Sequence, residues 1–213
     1  MTDERNVNVN LEAEEDLTEE QLTEQRVIRR EKLKKLQEMG RNPFLIETWN
    51  VEAYSKDIKD DFEAWEGKSV SMAGRIMANR HMGKASFIDI LDKDGKIQAY
   101  IRQDVITPEE YEIFLTYDIG DIVGFVGEVL KTKHGEISVK VEKLVLLSKS
   151  LQVLPNKWHG LKDIDQRYRQ RYVDLIINPE VRGMFYKRAA IIHEIKRTLE
   201  EDFGYLEVDT PIL

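Results

Sequence analysis

Four side chains stand where recognition chemistry is available: Arg75, Phe87, Gln98 and Glu136. A phenylalanine offers a π-face on which a flat heteroaromatic ring can stack, a contact worth ~1–3 kcal/mol per ring. A glutamine amide carries a donor and an acceptor side by side, and can match an edge that alternates the two. A carboxylate accepts hydrogen bonds, and a guanidinium meets a phosphate or a ring edge. This is the chemistry of holding, not of bond breaking. The sequence has no Gly-rich phosphate loop, no metal-ligand cluster and no nucleophile–base pair at a workable spacing. His81, His134, His159 and His193 are scattered and read as turn or surface histidines. The absence of cysteine excludes disulfides and thiolate metal sites. No catalytic, cofactor-binding or metal-binding residue is assigned. Each recognition candidate also has a plainer reading. The strand pattern alone favours a core aromatic at Phe87, and a glutamine at position 98, between Ile97 and Ala99, is more often solvent-facing than functional.

The elements that carry these residues lie in 68–147, where apolar and polar residues alternate. "KSVSMAGRIMANR", "GKASFIDIL" and "KIQAYIR" read as three strands, the last two joined by Asp92-Lys93-Asp94-Gly95, with glycine where a positive φ is expected. Pro108 opens a short helix with acids in its first turn and Gly120 past its end. "DIVGFVGEVLKT" and "EISVKVEKLVLL" are two further strands joined at Lys133-His134-Gly135. Three strands, a helix and two strands is the layout of a five-stranded Greek-key barrel, the OB-fold, with Gly74, Gly124 and Gly127 placed for sharp strand bends. Such barrels often hold single-stranded nucleic acid by stacking and by reading base edges.

Around the barrel, residues 26–39 place Val27, Leu33, Leu36 and Met39 at roughly helical spacing amid Arg26, Arg29, Arg30, Lys32, Lys34 and Lys35. This predicts a helix whose basic face is either solvated or set against phosphates. "RYRQRYVDLII" puts Tyr168, Tyr172 and Ile176 on one helical face, ended by Asn178-Pro179. Residues 180–203 repeat Phe185, Ala189, Ile192, Ile195, Leu199 and Phe203 at helical intervals. Gly204 then stops the helix, and "YLEVDTPIL" reads as a strand entering a core that the chain does not continue. The expected division is a disordered acidic leader at 1–25, a basic helix and connector at 26–67, the barrel at 68–148, a linker with an Arg/Tyr-rich helix at 149–179, and the start of another domain at 180–213. The fold class is mainly β with helices, α+β overall.

The net charge of −8 sits wholly in residues 1–25, and residues 26–213 balance to zero. The overall charge therefore does not exclude a nucleic-acid partner. No apolar run is long enough for a membrane span, and the first residues lack the layout of a secretory signal, so the expected location is the cytoplasm.

"RIMANRHMGKASFIDILDKDGKIQAYI", "KTKHGEISV" and above all "LPNKWHGLKDIDQRYRQRYVDLI" resemble the N-terminal half of bacterial lysyl-tRNA synthetases, over residues ~26–213. The resemblance implies that the barrel binds the anticodon stem-loop of tRNA(Lys). It puts Phe87 under the central uridine, Gln98 on its edge, Glu136 on the neighbouring base and Arg75 in support. It also implies that the 180–203 helix and "GYLEVDTPIL" form motif 1 of the class II enzymes, with Phe185, Ile192, Ile195, Gly204 and Pro211 in a homodimer interface. The parent reaction joins lysine to tRNA(Lys) through lysyl-adenylate. Its ATP and magnesium would be held by motifs 2 and 3, beyond Leu213, so the chain alone is expected to be inactive. The competing readings are a stand-alone OB module that binds RNA or protein without catalysis, and a fragment with no binding of its own.

Overall fold

The structure, a computed structural model, describes residues 19–132, 135–155, 161 and 163–211. Most of the acidic leader, Lys133 and His134 of the last strand turn, the connector from Asn156 to Gly160 with His159, and Ile212–Leu213 lie outside the described residues. The chain divides at Val153/Leu154 into two compact units.

Alternation decides the first unit. Strands β1 (Ser69–Met82), β2 (Ala85–Leu91), β3 (Lys96–Arg102), β4 (Ile122–Lys131) and β5 (Ile137–Ser148) close a barrel in the order β1-β2-β3-β5-β4. Strand β2 sends Ser86, Ile88 and Ile90 inward, and β3 sends Ile97, Ala99 and Ile101, which leaves Phe87, Asp89, Gln98 and Tyr100 on the outer face. All neighbours are antiparallel except β3 and β5, which run parallel over Gln98↔Ser138, Ala99↔Val139 and Tyr100↔Lys140. Numbering the helices in chain order, α4 (Pro108–Phe114) starts at a Thr107 cap and drives Tyr111, Ile113 and Phe114 into the core.

The glycines have a different cause from the one their positions suggested. Gly95 does not adopt a positive φ. A Cβ there would lie 3.1 Å from Ser55 Oγ, and the turn is closed by Asp92 Oδ1, which accepts from the Asp94 and Gly95 amides at 2.8 Å. At Gly74 and Gly124 a Cβ would lie 2.5 Å from Ile90 Cγ2 and from the Trp49 ring, so close approach, not bending, demands glycine. Gly127 does sit at a register shift against β5.

Helix α1 (Glu19–Glu38) starts inside the stretch expected to be a disordered leader. Leu22, Arg26, Arg29, Leu33 and Leu36 recur at helical spacing on its covered side, and that face extends the helix backwards. Val27 and Met39, expected on the apolar face, are 48% and 55% exposed. Arg29 takes the buried place instead: its Nη1 donates to Gln152 O at 2.8 Å and Ser150 O at 3.2 Å. Lys32 Nζ meets Asp118 at 2.6 Å. Asp118 also accepts from the wholly buried Lys149 ammonium, which lies 2.7 Å from the equally buried Asp121. Asp121 further accepts from the Asp118 and Ser150 amides, both at 2.8 Å. Burial works against ionisation of Asp118, but Lys149 and Lys32 outweigh it and hold the carboxyl below its usual range. For Asp121 burial prevails over Lys149 and pushes the carboxyl up. Two short helices, α2 (Ser55–Asp60) and α3 (Phe62–Trp65), lead from the α1 segment into β1.

In the second unit, the helix expected over 167–177 is two: α5 (Ile164–Arg169) and α6 (Arg171–Ile177), broken at Gln170 with φ −119 and ψ 56. Tyr168 and Tyr172 are exposed rather than packed, because the covered side is set by Val173 and Asp174. The Asp174 carboxylate is wholly buried and accepts from Arg167 Nε and Asn178 Nδ2 at 2.8 and 2.7 Å, and from Arg171. Helix α7 (Pro179–Arg197) runs on through a π-turn (Thr198–Asp202) to Gly204, whose φ of 69° ends it as expected. The strand expected after Gly204 does not form. Described residues 204–211 have no sheet partner, and Leu206 and Val208 are 84% and 66% exposed. Among the described residues, no helix is long and apolar enough to cross a membrane.

Candidate nucleic-acid interface

Period-two geometry puts Phe87 of β2 on the outer face, not in the core that its pattern favoured, because Ser86 and Ile88 take the two inward positions beside it. Its register partner on β3 is Tyr100, and the two rings stack with centroids 4.7 Å apart and planes 13° from parallel. This makes a half-exposed aromatic platform outside the barrel. Two residues along each strand, on the same face, Asp89 pairs with Gln98. Gln98 Oε1 accepts from the buried Ser138 Oγ at 2.9 Å, across the parallel seam to β5. That bond fixes the amide and leaves its Nε2 donors without a protein partner among the described residues.

A cleft of about 340 Å³ opens on this face, lined by Lys59, Arg80, Asp89, Lys96, Ile97, Gln98 and Glu136. Glu136 reaches it because it immediately precedes β5. Its amide is turned in by Thr132 Oγ1 at 3.2 Å, and Thr132 N donates to its carbonyl at 2.9 Å. The structure thus brings Gln98 and Glu136 into one cleft, with Phe87 beside it on the same sheet face. Arg75 is not among the lining residues. Its Nη1 donates to Gly120 O at 2.6 Å, and burial, partly offset by Asp121, lowers the guanidinium from its usual value. The guanidinium in the cleft is Arg80, the register partner of Phe87, bound to Asp89 at 2.8 Å. Arg80 and Tyr100 are the candidates that sequence reasoning missed. The available signal for Tyr100 was its strand phase, two residues after Gln98.

No group of three or more His, Asp or Glu converges among the described residues. Of the residues expected in a dimer interface, Phe185, Ile192 and Ile195 on α7 are 43–54% exposed, Gly204 ends the helix, and Pro211 lies in the exposed tail.

Comparison with known proteins agrees with this architecture. Residues 70–147 match a family described as OB-fold nucleic acid binding domain, and residues 163–213 match tRNA synthetases class II (D, K and N). The chain is 56% identical over 194 residues to a lysine–tRNA ligase of Thermoanaerobacter pseudethanolicus, an alignment that takes in 91% of this chain and 39% of the relative. It is 52% identical over 195 residues to the ligase of Clostridium perfringens, covering 92% and 39%. It is 50% identical over 203 residues to that of Moorella thermoacetica, covering 95% and 40%. The chain thus spans about two-fifths of the length of these relatives. Over most of its length it matches the N-terminal part of the lysyl-tRNA synthetase family, an OB-fold anticodon domain followed by the start of a class II synthetase domain.

Proposed function

We propose that the outer face of the barrel reads the anticodon loop of tRNA(Lys), and that this is the chain's share in a lysine–tRNA ligase. The observation that carries the reading is the Phe87–Tyr100 stack standing outside the barrel beside a cleft that holds Gln98 and Glu136. A base stacks on Phe87. The free Nε2 of Gln98 donates to a uracil carbonyl, and Glu136 accepts from the exocyclic or ring N–H of the neighbouring base. Arg80, more than Arg75, is placed to meet the RNA from β1. The apolar stripe of α7, with Phe185, Ile192 and Ile195, would be covered by the rest of a class II domain and by a second subunit in the homodimer.

Titration of a fluorescent tRNA(Lys) anticodon stem-loop tests the reading. Phe87→Ala should weaken binding by ~1–3 kcal/mol through lost stacking. Gln98→Ala should reduce the preference for uridine over cytidine at the central position by a similar ~1–3 kcal/mol. Equal affinity of the unmodified chain for uridine and cytidine loops overturns the assignment.

A further inference from the structure

Two of the three cations lining the cleft form no ion pair among the described residues. Arg80 is bound to Asp89, but among the described residues neither Lys59 nor Lys96 forms an ion pair. The cleft also holds the Asp89 and Glu136 carboxylates. Two lysines lining one cleft repel when both ammonium groups turn toward it, so bringing them together needs a fixed scaffold, and one is present. Asp92 is nearly buried. Its Oδ2 accepts from Ser55 N at 2.6 Å and its Oδ1 from Ser55 Oγ at 2.8 Å, while Oδ1 also closes the hairpin through Gly95 N. Ser55 opens α2, and Lys59 follows four residues later on the same helix face. Gly95 immediately precedes Lys96, which opens β3. A single carboxylate therefore ties together the two segments that carry the two lysines. The fully buried Ile58 fixes the rotation of α2, and Lys93 Nζ, 3.8 Å from the Tyr54 ring centroid, closes the joint from outside.

We propose that Lys59 and Lys96 form a phosphate clasp, holding one backbone phosphodiester of the bound single strand, and that the Ser55–Asp92 contact positions Lys59 for it. Lys96 lies on the face of β3 that carries Gln98, two residues on, so a phosphate held there belongs to a nucleotide next to the base being read. The clasp rests on the RNA-reading assignment above and adds to it a site that fixes the strand without reading its sequence.

Fluorescence anisotropy with uridine and cytidine anticodon stem-loops, from 50 to 200 mM NaCl, tests the clasp. Lys59→Gln and Lys96→Gln should each make the dependence of log affinity on log salt shallower by about 0.7. Affinity for the two loops should fall in parallel. Ser55→Ala should weaken binding in the unmodified chain and have no further effect in Lys59→Gln, the signature of a positioning role. If Ser55→Ala fails to fold, the two exposed lysine variants decide alone. Binding by the unmodified chain with a salt slope unchanged in both lysine variants overturns the clasp and leaves the base-reading assignment standing. A loss of uridine preference in Lys59→Gln with an unchanged slope makes Lys59 a base contact and also overturns the clasp. No binding by the unmodified chain removes both.

Discussion

Lys149→Met should be among the most damaging single substitutions in the barrel unit. The Lys149 side chain is wholly buried between Asp118 and Asp121, and Asp121 is wholly buried too. Methionine matches the lysine stem in shape but removes the charge. Asp121 would keep only the Asp118 and Ser150 amides, whereas Asp118 would keep Lys32. Removing one partner of a buried ion pair costs ~3–5 kcal/mol, because the other charge stays behind unpaired. With Asp118 still compensated, the lower end applies, about 3 kcal/mol. Lys32→Met is the internal control. That pair is 29% and 16% exposed, Asp118 retains Lys149, and the expected cost is about 1 kcal/mol. For a unit of this size each kcal/mol moves the melting temperature by roughly 4 °C, so the two variants should separate by roughly 8 °C. Urea unfolding followed by circular dichroism gives the free energies directly. The combined change Asp118→Asn, Asp121→Asn, Lys149→Met should recover part of the loss, since no fully buried charge is left stranded and Lys32, which loses Asp118, is part-exposed. A Lys149→Met cost within about 1 kcal/mol of the unmodified chain, or one equal to that of Lys32→Met, refutes the reasoning.

Two further outcomes concern the same unit. Gly124→Ala puts a Cβ 2.5 Å from the Trp49 ring, whose Nε1 donates to Met72 O at 3.1 Å. The ring must move, and equilibrium unfolding should show a loss of ~1–3 kcal/mol. Burial lowers His81 below its usual value, beside Ser86 Oγ at 2.8 Å and the Phe114 ring. The unfolded chain then binds a proton there more readily than the folded one. Stability from this group is full above pH ~6.5 and is lost as pH falls through the lower folded value. His81→Gln should flatten that part of a stability–pH curve, and an unchanged curve would exclude the assignment.

The barrel was legible because its strands alternate, and alternation is local. Strand β3 was read at its observed bounds, Lys96 to Arg102, and the same phase placed Gln98 on the outside. For Phe87 the pattern alone favoured the core, because an aromatic among isoleucines looks like core. The deciding residue was Ser86, whose inward hydroxyl is wholly buried against Tyr111 and His81. Helix α1 was cut short for a similar reason. Its covered face includes Arg29, and an arginine reads as buried only once the carbonyls of Ser150 and Gln152, more than 120 residues away, are known. Arg75 and Arg80 lie on one strand, β1. Only the Gly120 carbonyl on one side and Asp89 on the other separate a structural guanidinium from one facing the cleft. The strand expected after Gly204 failed because alternation gives a strand its faces but not its partner.

The parallel seam between β3 and β5 is three residue pairs long, the shortest ladder in the barrel. A closed barrel opens most easily where its ladder is shortest, so thermal breathing concentrates there. Gln98 and Glu136 stand on opposite sides of that seam, with the Ser138–Gln98 hydrogen bond crossing it. On the proposed reading, adjacent bases of one loop, one on Gln98 and the next on Glu136, would rivet the joint. Any ligand that binds only the closed seam raises the free energy of opening by mass action. Under that reading occupancy and barrel integrity would be linked: the site would be as ordered as the seam, and a filled site would keep the seam shut.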